Sequence, residues 1–148
     1  MFEIRYARAE DIEAIEALER DTAYNPWSAA MFEAELRNKF AHLLCAVKND
    51  KIIGLCDIHI VYEDAHINNI CVAKEFRREG VATALAKKAC GLAKSNGCRA
   101  VTLEVRVNNE PARSFYDRLD FKEISTKKAF YVNPPDDAIV LQKMLNNS

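Results

Sequence analysis

The stretch Val72-Ala73-Lys74-Glu75-Phe76-Arg77-Arg78-Glu79-Gly80-Val81-Ala82-Thr83 decides the reading of this chain. A β-rich run ends at its start, a basic turn follows, and a helix opens with Gly80 and Ala82 near its first turn. The first N–H groups of a helix have no intrahelical partner, and the helix dipole places partial positive charge at the same end. Small residues there let a ligand come close to the backbone, and Arg77 and Arg78 add charge beside it. Together these make a cradle for a pyrophosphate, despite the acidic Glu79. A plainer role is compatible with the turn alone: Gly80 serving helix–sheet packing and two solvated arginines. Neither G-x-x-x-x-G-K-[ST] nor G-x-G-x-x-G is present, so the turn is not one of the familiar nucleotide loops.

Downstream, Val81, Leu85, Ala89 and Leu92 share a helical face with Ala82, Ala86 and Ala93, and Lys87, Lys88 and Lys94 point away. Asn96-Gly97 ends this helix. Arg99 to Val107 reads as a strand with Val101, Leu103, Val105 and Val107 on one face and Glu104 on the other. Asn109 caps a further helix with Pro111 in its first turn and Phe115, Tyr116 and Leu119 on its apolar side. Phe121–Ser125 and Ala138–Leu145 read as final strands around a loop, Lys127–Asp137, that holds Pro134-Pro135.

Upstream, Ala65–Ala73, Ile52–Tyr62 and His42–Val47 are three β-rich runs. The last two are joined by Lys48-Asn49-Asp50-Lys51, which suits a tight hairpin turn, so an antiparallel meander is expected. Before them come a helix through Met31, Phe32 and Leu36 capped by Ser28, and a loop Tyr24-Asn25-Pro26-Trp27-Ser28. A helix carrying Ile12, Ile15 and Leu18 and a first strand Phe2–Tyr6 complete the chain. The order is β-α-α-β-β-β-α-β-α-β-β, with no internal repeat or linker. It predicts an α/β (α+β) fold: a single domain, 1–148, with a central mixed, mostly antiparallel sheet flanked by helices.

Composition narrows the function classes. The 148 residues are 49% hydrophobic and 29% charged, which suits a globular protein rather than a disordered or fibrous one. Lys+Arg total 21 against 22 Asp+Glu, a net charge of -1 that gives no overall attraction to nucleic acid or to membranes. Around the cradle, however, Lys74, Arg77, Arg78, Lys87, Lys88, Lys94 and Arg99 face only Glu75 and Glu79 in sequence, a local field suited to a polyanion. The five cysteines are odd in number, lie mostly in apolar runs and form no C-x-x-C pair, so they are expected to be reduced thiols. With no apolar leader and no membrane-spanning run, a cytoplasmic protein is expected. The histidines His42, His59 and His66 show no ligand spacing, so no metal is expected.

Arg77-x-x-Gly80-x-Ala82 resembles the [Q/R]-x-x-G-x-[G/A] acyl-CoA-binding motif of the GNAT N-acetyltransferase superfamily. The likeness continues through Thr102–Asn109 and Ser114–Phe121 and covers nearly the whole chain. Within the superfamily the sequence is most similar to the bacterial ribosomal-protein-alanine N-acetyltransferases, sharing Pro26-Trp27-Ser28, Asn69-Ile70-Cys71-Val72, the Leu103–Arg106 strand and the pair Phe130-Tyr131. The resemblance implies that acetyl-CoA is the cosubstrate. It implies that backbone N–H groups of Arg78, Glu79, Gly80, Val81, Ala82 and Thr83 hold the pyrophosphate beside Arg77, and that Ile70, Cys71 and Val72 pair with the pantetheine arm. Asn109 would touch the cofactor from its cap position. It also implies Glu104 as general base, Tyr116 as the acid that protonates the leaving thiolate, and Trp27 and Tyr131 as loop residues framing the acceptor.

The acceptor so implied is a primary amine, above all the N-terminal α-amine of a ribosomal protein. A small-molecule amine, a Lys side chain or a non-catalytic acyl-CoA-binding module are the alternatives. An amine attacks only when neutral, and an α-amine near 7.7–8.0 reaches that form more readily than a lysine near 10.4. Glu63 and Asp64 are further candidates for attracting a cationic amine. One departure from the family stands at Leu119-Asp120-Phe121, where Leu-Gly-Phe is usual. The glycine commonly takes a positive φ there, which Asp tolerates better than most residues.

Overall fold

Three alternating runs fold into the expected meander of β2 (Ala41–Lys48), β3 (Lys51–Val61) and β4 (Asp64–Val72), preceded by β1 (Glu3–Tyr6) on the outer edge. Asn49 and Asp50 both adopt positive φ in the β2–β3 turn, the conformation a two-residue hairpin requires. The computed structural model describes residues 1–23 and 25–145; Tyr24, read as the start of a loop, and the last three residues of the expected domain lie outside them. The remaining elements are α1 (Ile12–Thr22), α2 (Ala29–Arg37), α3 (Val81–Ser95), β5 (Ala100–Arg106), α4 (Glu110–Arg118), β6 (Lys122–Val132) and β7 (Pro135–Met144). They build one seven-stranded sheet in the order β1-β2-β3-β4-β5-β7-β6, in which only β4 and β5 run parallel.

Side-chain alternation sorts the core into two layers. Leu44, Ala46, Cys56 and Ile58 face α3 and α4 together with Leu85, Ala89, Leu103 and Tyr116. Leu43, Cys45, Val47 and Leu55 face α1 and α2, meeting Ile15, Leu18 and the fully buried Phe32. Burying a side chain the size of Phe32 stabilises by about 1.5–3 kcal/mol, and its helix starts where the Ser28 hydroxyl accepts a 3.2 Å bond from the Met31 N–H. All five cysteines are free, four buried and Cys71 partly exposed.

The segment 127–137 departs from expectation. It is not a loop: β6 runs to Val132 and β7 begins at Pro135, with Tyr131 paired to Asp136. Nearly all of β6 is exposed, so it carries no apolar alternation to read. Pro134 sits in the turn and Pro135 at a strand's first residue, where a missing N–H costs no ladder bond. Val107, expected at the end of its strand, lies just past β5. Asp120 takes φ 70°, the left-handed conformation anticipated for that position. Among the described residues no helix is long and apolar enough to cross a membrane.

Candidate active site

β4 and β5 hydrogen-bond only where Asp64–His66 faces Ala100–Thr102, yet β4 continues to Val72 and β5 to Arg106. The point of separation coincides with a bulge: Asp57 faces Asn69 and Ile58 faces Ile67, so Asn68 is the extra residue on β4. Bulges bend a strand and raise its local twist. Beyond it, the β4 edge turned toward β5 has no strand partner among the described residues, which leaves its backbone groups open to a ligand. Two clefts, of about 570 and 440 Å³, open on either side of this gap. They share Ile70, Cys71, Asn109, Ala112 and Tyr116.

The first cleft lies at the N-terminus of α3. Arg78 and Gly80 take φ of 66° and 82°, folding the turn so that it leads directly into the helix. A side chain at Gly80 would meet nothing within 4 Å, so the position demands the backbone conformation and leaves open space beside it. Ile70, Cys71, Val72, Arg77, Arg78, Gly80, Val81, Ala82, Thr83 and Asn109 all line this cleft, as does Arg118. Glu79 does not: its carboxylate turns outward to Lys48, 3.4 Å away. Asn109 caps α4, its Oδ1 accepting from the Ala112 N–H at 3.2 Å, and the residue also lines both clefts.

The second cleft is acidic at its centre. Glu104 on β5, with its side chain mostly buried, places Oε1 2.7 Å from His66 Nε2 and accepts from Lys127 Nζ at Oε2, 3.1 Å. His66 Nδ1 in turn lies 2.7 Å from Asn68 Oδ1. A second carboxylate, Glu19 of α1, is buried across the cleft; it accepts from the Trp27 N–H at 3.1 Å and Asn69 Nδ2 at 2.9 Å, with Cys71 Sγ 3.7 Å away. Glu19 therefore ties the loop before α2 to β4. Trp27 packs on Phe32 at 5.3 Å, and Tyr131 lies beneath the Arg106 guanidinium at 4.3 Å; both line the cleft. Tyr131 stands on β6 rather than in a loop.

Tyr116 joins the clefts. It is buried against Phe115 and Phe121, with ring centroids 4.9 and 5.3 Å away. Burial foremost, then the nearby Cys56, Cys90 and Tyr131, pushes its hydroxyl well above the ordinary phenol range, so it keeps its proton at neutral pH. Burial likewise pushes the Cys71 thiol up to about 12, with Glu19 adding to the effect, so this cleft cysteine is no ready nucleophile. Glu63 and Asp64 do not reach the acidic cleft; they line a separate depression with Arg99. The basic residues clustered in sequence also disperse: of them, only Arg77 and Arg78 line the α3 cleft, whereas Lys87 and Lys94 line a depression beside β7.

Glu19 and His66 are the site residues that sequence reasoning missed. Glu19 meets Asn69, 50 positions on, and His66 meets Glu104, 38 positions on, contacts that only the closed sheet makes.

Two strands parting around a buried tyrosine, with an arginine-lined helix N-terminus on one side and the carboxylates of Glu19 and Glu104 on the other, suit a two-substrate transferase. The acetyltransferase (GNAT) family model matches residues 12–121. A Bacillus subtilis protein assigned as ribosomal protein bS18-alanine N-acetyltransferase is 33% identical over 144 residues, covering 97% of this chain and 95% of its own. An N-alpha-acetyltransferase of Saccharolobus solfataricus is 26% identical, covering 91% and 89%. The crystal structure of the Escherichia coli ribosomal-protein-S18-alanine N-acetyltransferase superposes with a TM-score of 0.91 at 23% identity, over 100% of this chain and 96% of that one. The chain belongs to the acetyltransferase (GNAT) family, and it is an N-acetyltransferase.

Proposed function

We propose that the enzyme transfers the acetyl group of acetyl-CoA directly to the N-terminal α-amine of a ribosomal protein. The observation that carries this reading is the meeting of a cofactor-shaped cleft and an acidic cleft at Tyr116. The N–H groups at the start of α3, with Arg77 and Arg78, hold the pyrophosphate. The unpaired edge of β4 at Ile70–Val72 takes the pantetheine amides as a sheet takes a strand, and one of its N–H groups polarises the thioester carbonyl. Trp27 and Tyr131 frame the peptide, whose ammonium is drawn by Glu19 and Glu104.

Glu104 takes the amine proton, directly or through water. Its two oxygens keep lone pairs free beyond those used by His66 and Lys127. The neutral nitrogen attacks the thioester carbonyl, the tetrahedral intermediate collapses, and the C–S bond breaks. Tyr116 donates its proton to the departing thiolate and is reprotonated, through water, by the second proton that the new amide nitrogen gives up. A thiolate formed in this dry site is raised in basicity by the same burial that raises Tyr116, so donor and acceptor remain matched. The reading takes residues 1–148 as one cytoplasmic N-acetyltransferase domain that needs no metal for the transfer.

Mass spectrometry after incubation with acetyl-CoA tests the acceptor. A ribosomal peptide beginning with Ala or Ser is expected to gain one acetyl group on its α-amine, and its N-blocked, lysine-containing form none. Acetylation of the blocked peptide on lysine would instead establish ε-amine chemistry.

A further inference from the structure

A second cluster lies away from the clefts, between the last turn of α2 and the middle of β3. Asp57 and His59, two apart on β3, present their side chains on the α1/α2 side of the sheet, where Glu35 of α2 meets them. His59 Nε2 is 2.8 Å from Glu35 Oε2 and 3.5 Å from Asp57 Oδ2, and the three donor atoms lie within 4.8 Å of one another. Asp57 is fully buried, and among the described residues neither of its carboxylate oxygens receives a hydrogen bond. A charged buried carboxylate without a donor is costly, and one imidazole N–H already committed to Glu35 does not relieve it; burial and the facing Glu35 push the Asp57 carboxyl up, so a cation there competes with a proton.

We propose that Glu35, Asp57 and His59 bind a divalent first-row transition cation, with zinc the best fit. Zinc holds N and O ligands at about 2.0–2.2 Å in a tetrahedron, which puts neighbouring donors about 3.3 Å apart. The two measured separations, 2.8 and 3.5 Å, straddle that edge. One imidazole with two carboxylates suits zinc, manganese or iron, and zinc binds most tightly of these at such donors. The cation takes one lone pair from each ligand and displaces any proton they hold. Glu35 and His59 are partly exposed, so water completes the fourth position. The ion fastens the end of α2 to the sheet, and with it the helix whose start carries the Trp27-Ser28 loop. The ligands come from a helix and a strand, which explains why residue spacing shows no motif.

The test uses the whole chain stripped with a chelator. Titration with zinc is expected to show one equivalent bound and a raised midpoint of thermal unfolding. Cobalt in its place is expected to give visible d–d bands without thiolate charge transfer, which separates this site from the cysteines. Asp57→Asn keeps the side chain's shape and removes its charge; it and His59→Ala are each expected to weaken zinc at least tenfold. In chelator, Asp57→Asn should unfold no earlier than the parent protein. Absence of one-equivalent binding, unchanged affinity in either variant, or thiolate bands with cobalt would overturn the assignment.

Discussion

In the proposed mechanism Tyr116 and Glu104 divide the chemistry, and each is placed by neighbours of a different kind. Aromatic contacts with Phe115 and Phe121 hold Tyr116, so Tyr116→Phe should preserve the fold. It is expected to lower kcat by about 10²-fold or more while leaving the KM for acetyl-CoA nearly unchanged, as loss of a proton donor requires. Steady-state kinetics at saturating peptide checks this. Glu19 works through contacts rather than proton transfer. Glu19→Ala strips partners from the Trp27 N–H and the Asn69 amide, at a cost of about 1–3 kcal/mol in stability, and should raise the peptide KM far more than that of acetyl-CoA. Chemical denaturation and two-substrate kinetics measure the two effects. Tyr116 and Glu104 could be singled out in the sequence because each sits inside a contiguous motif, and the structure places both on the same cleft. Glu19 and His66 could not, since their roles arise only when α1, β4 and β5 are assembled.

At the scale of elements, the α3 N-terminus and the β1–α1 junction make separate predictions. Gly80→Glu leaves its Cβ unobstructed but forces a left-handed backbone on a residue with a Cβ, costing about 1–2 kcal/mol, and it adds a carboxylate at the proposed phosphate site. Calorimetric titration should show acetyl-CoA affinity reduced at least tenfold in a folded protein. At the other junction Arg5 grips Asp11 through two bonds of 2.7 and 3.1 Å, while Asp11 also accepts the Arg8 N–H. The Arg5 guanidinium holds the Asp11 carboxyl below the usual carboxylate range. Its stabilising contribution is therefore complete above the ordinary value near 3.9 and is lost as pH falls through the lower folded-state value. Asp11→Asn is expected to cost about 1–3 kcal/mol at pH 7, with the gap to the parent narrowing below about pH 4 in urea denaturation. Elements with a buried face, such as α3 and the meander, were readable from apolar spacing. The β6–β7 hairpin was not, because an exposed strand has no hydrophobic pattern and its prolines resemble those of a loop.

For the molecule as a whole, a net charge of -1 conceals an uneven distribution: the α3 cleft is lined by Arg77, Arg78 and Arg118, and the second cleft by Glu19 and Glu104 together with Arg106. Sequence proximity overstated the positive charge at the α3 cleft, since Lys87 and Lys94 follow the helix round to another face. The proposed mechanism holds both substrates at once and has them meet at Tyr116, without using the Cys71 thiol, which burial pushes up to about 12. Initial rates measured over a grid of acetyl-CoA and free-N-terminus peptide concentrations test this most directly. Intersecting double-reciprocal lines are predicted for direct transfer within a ternary complex; parallel lines, the signature of an acetyl-enzyme, would contradict it.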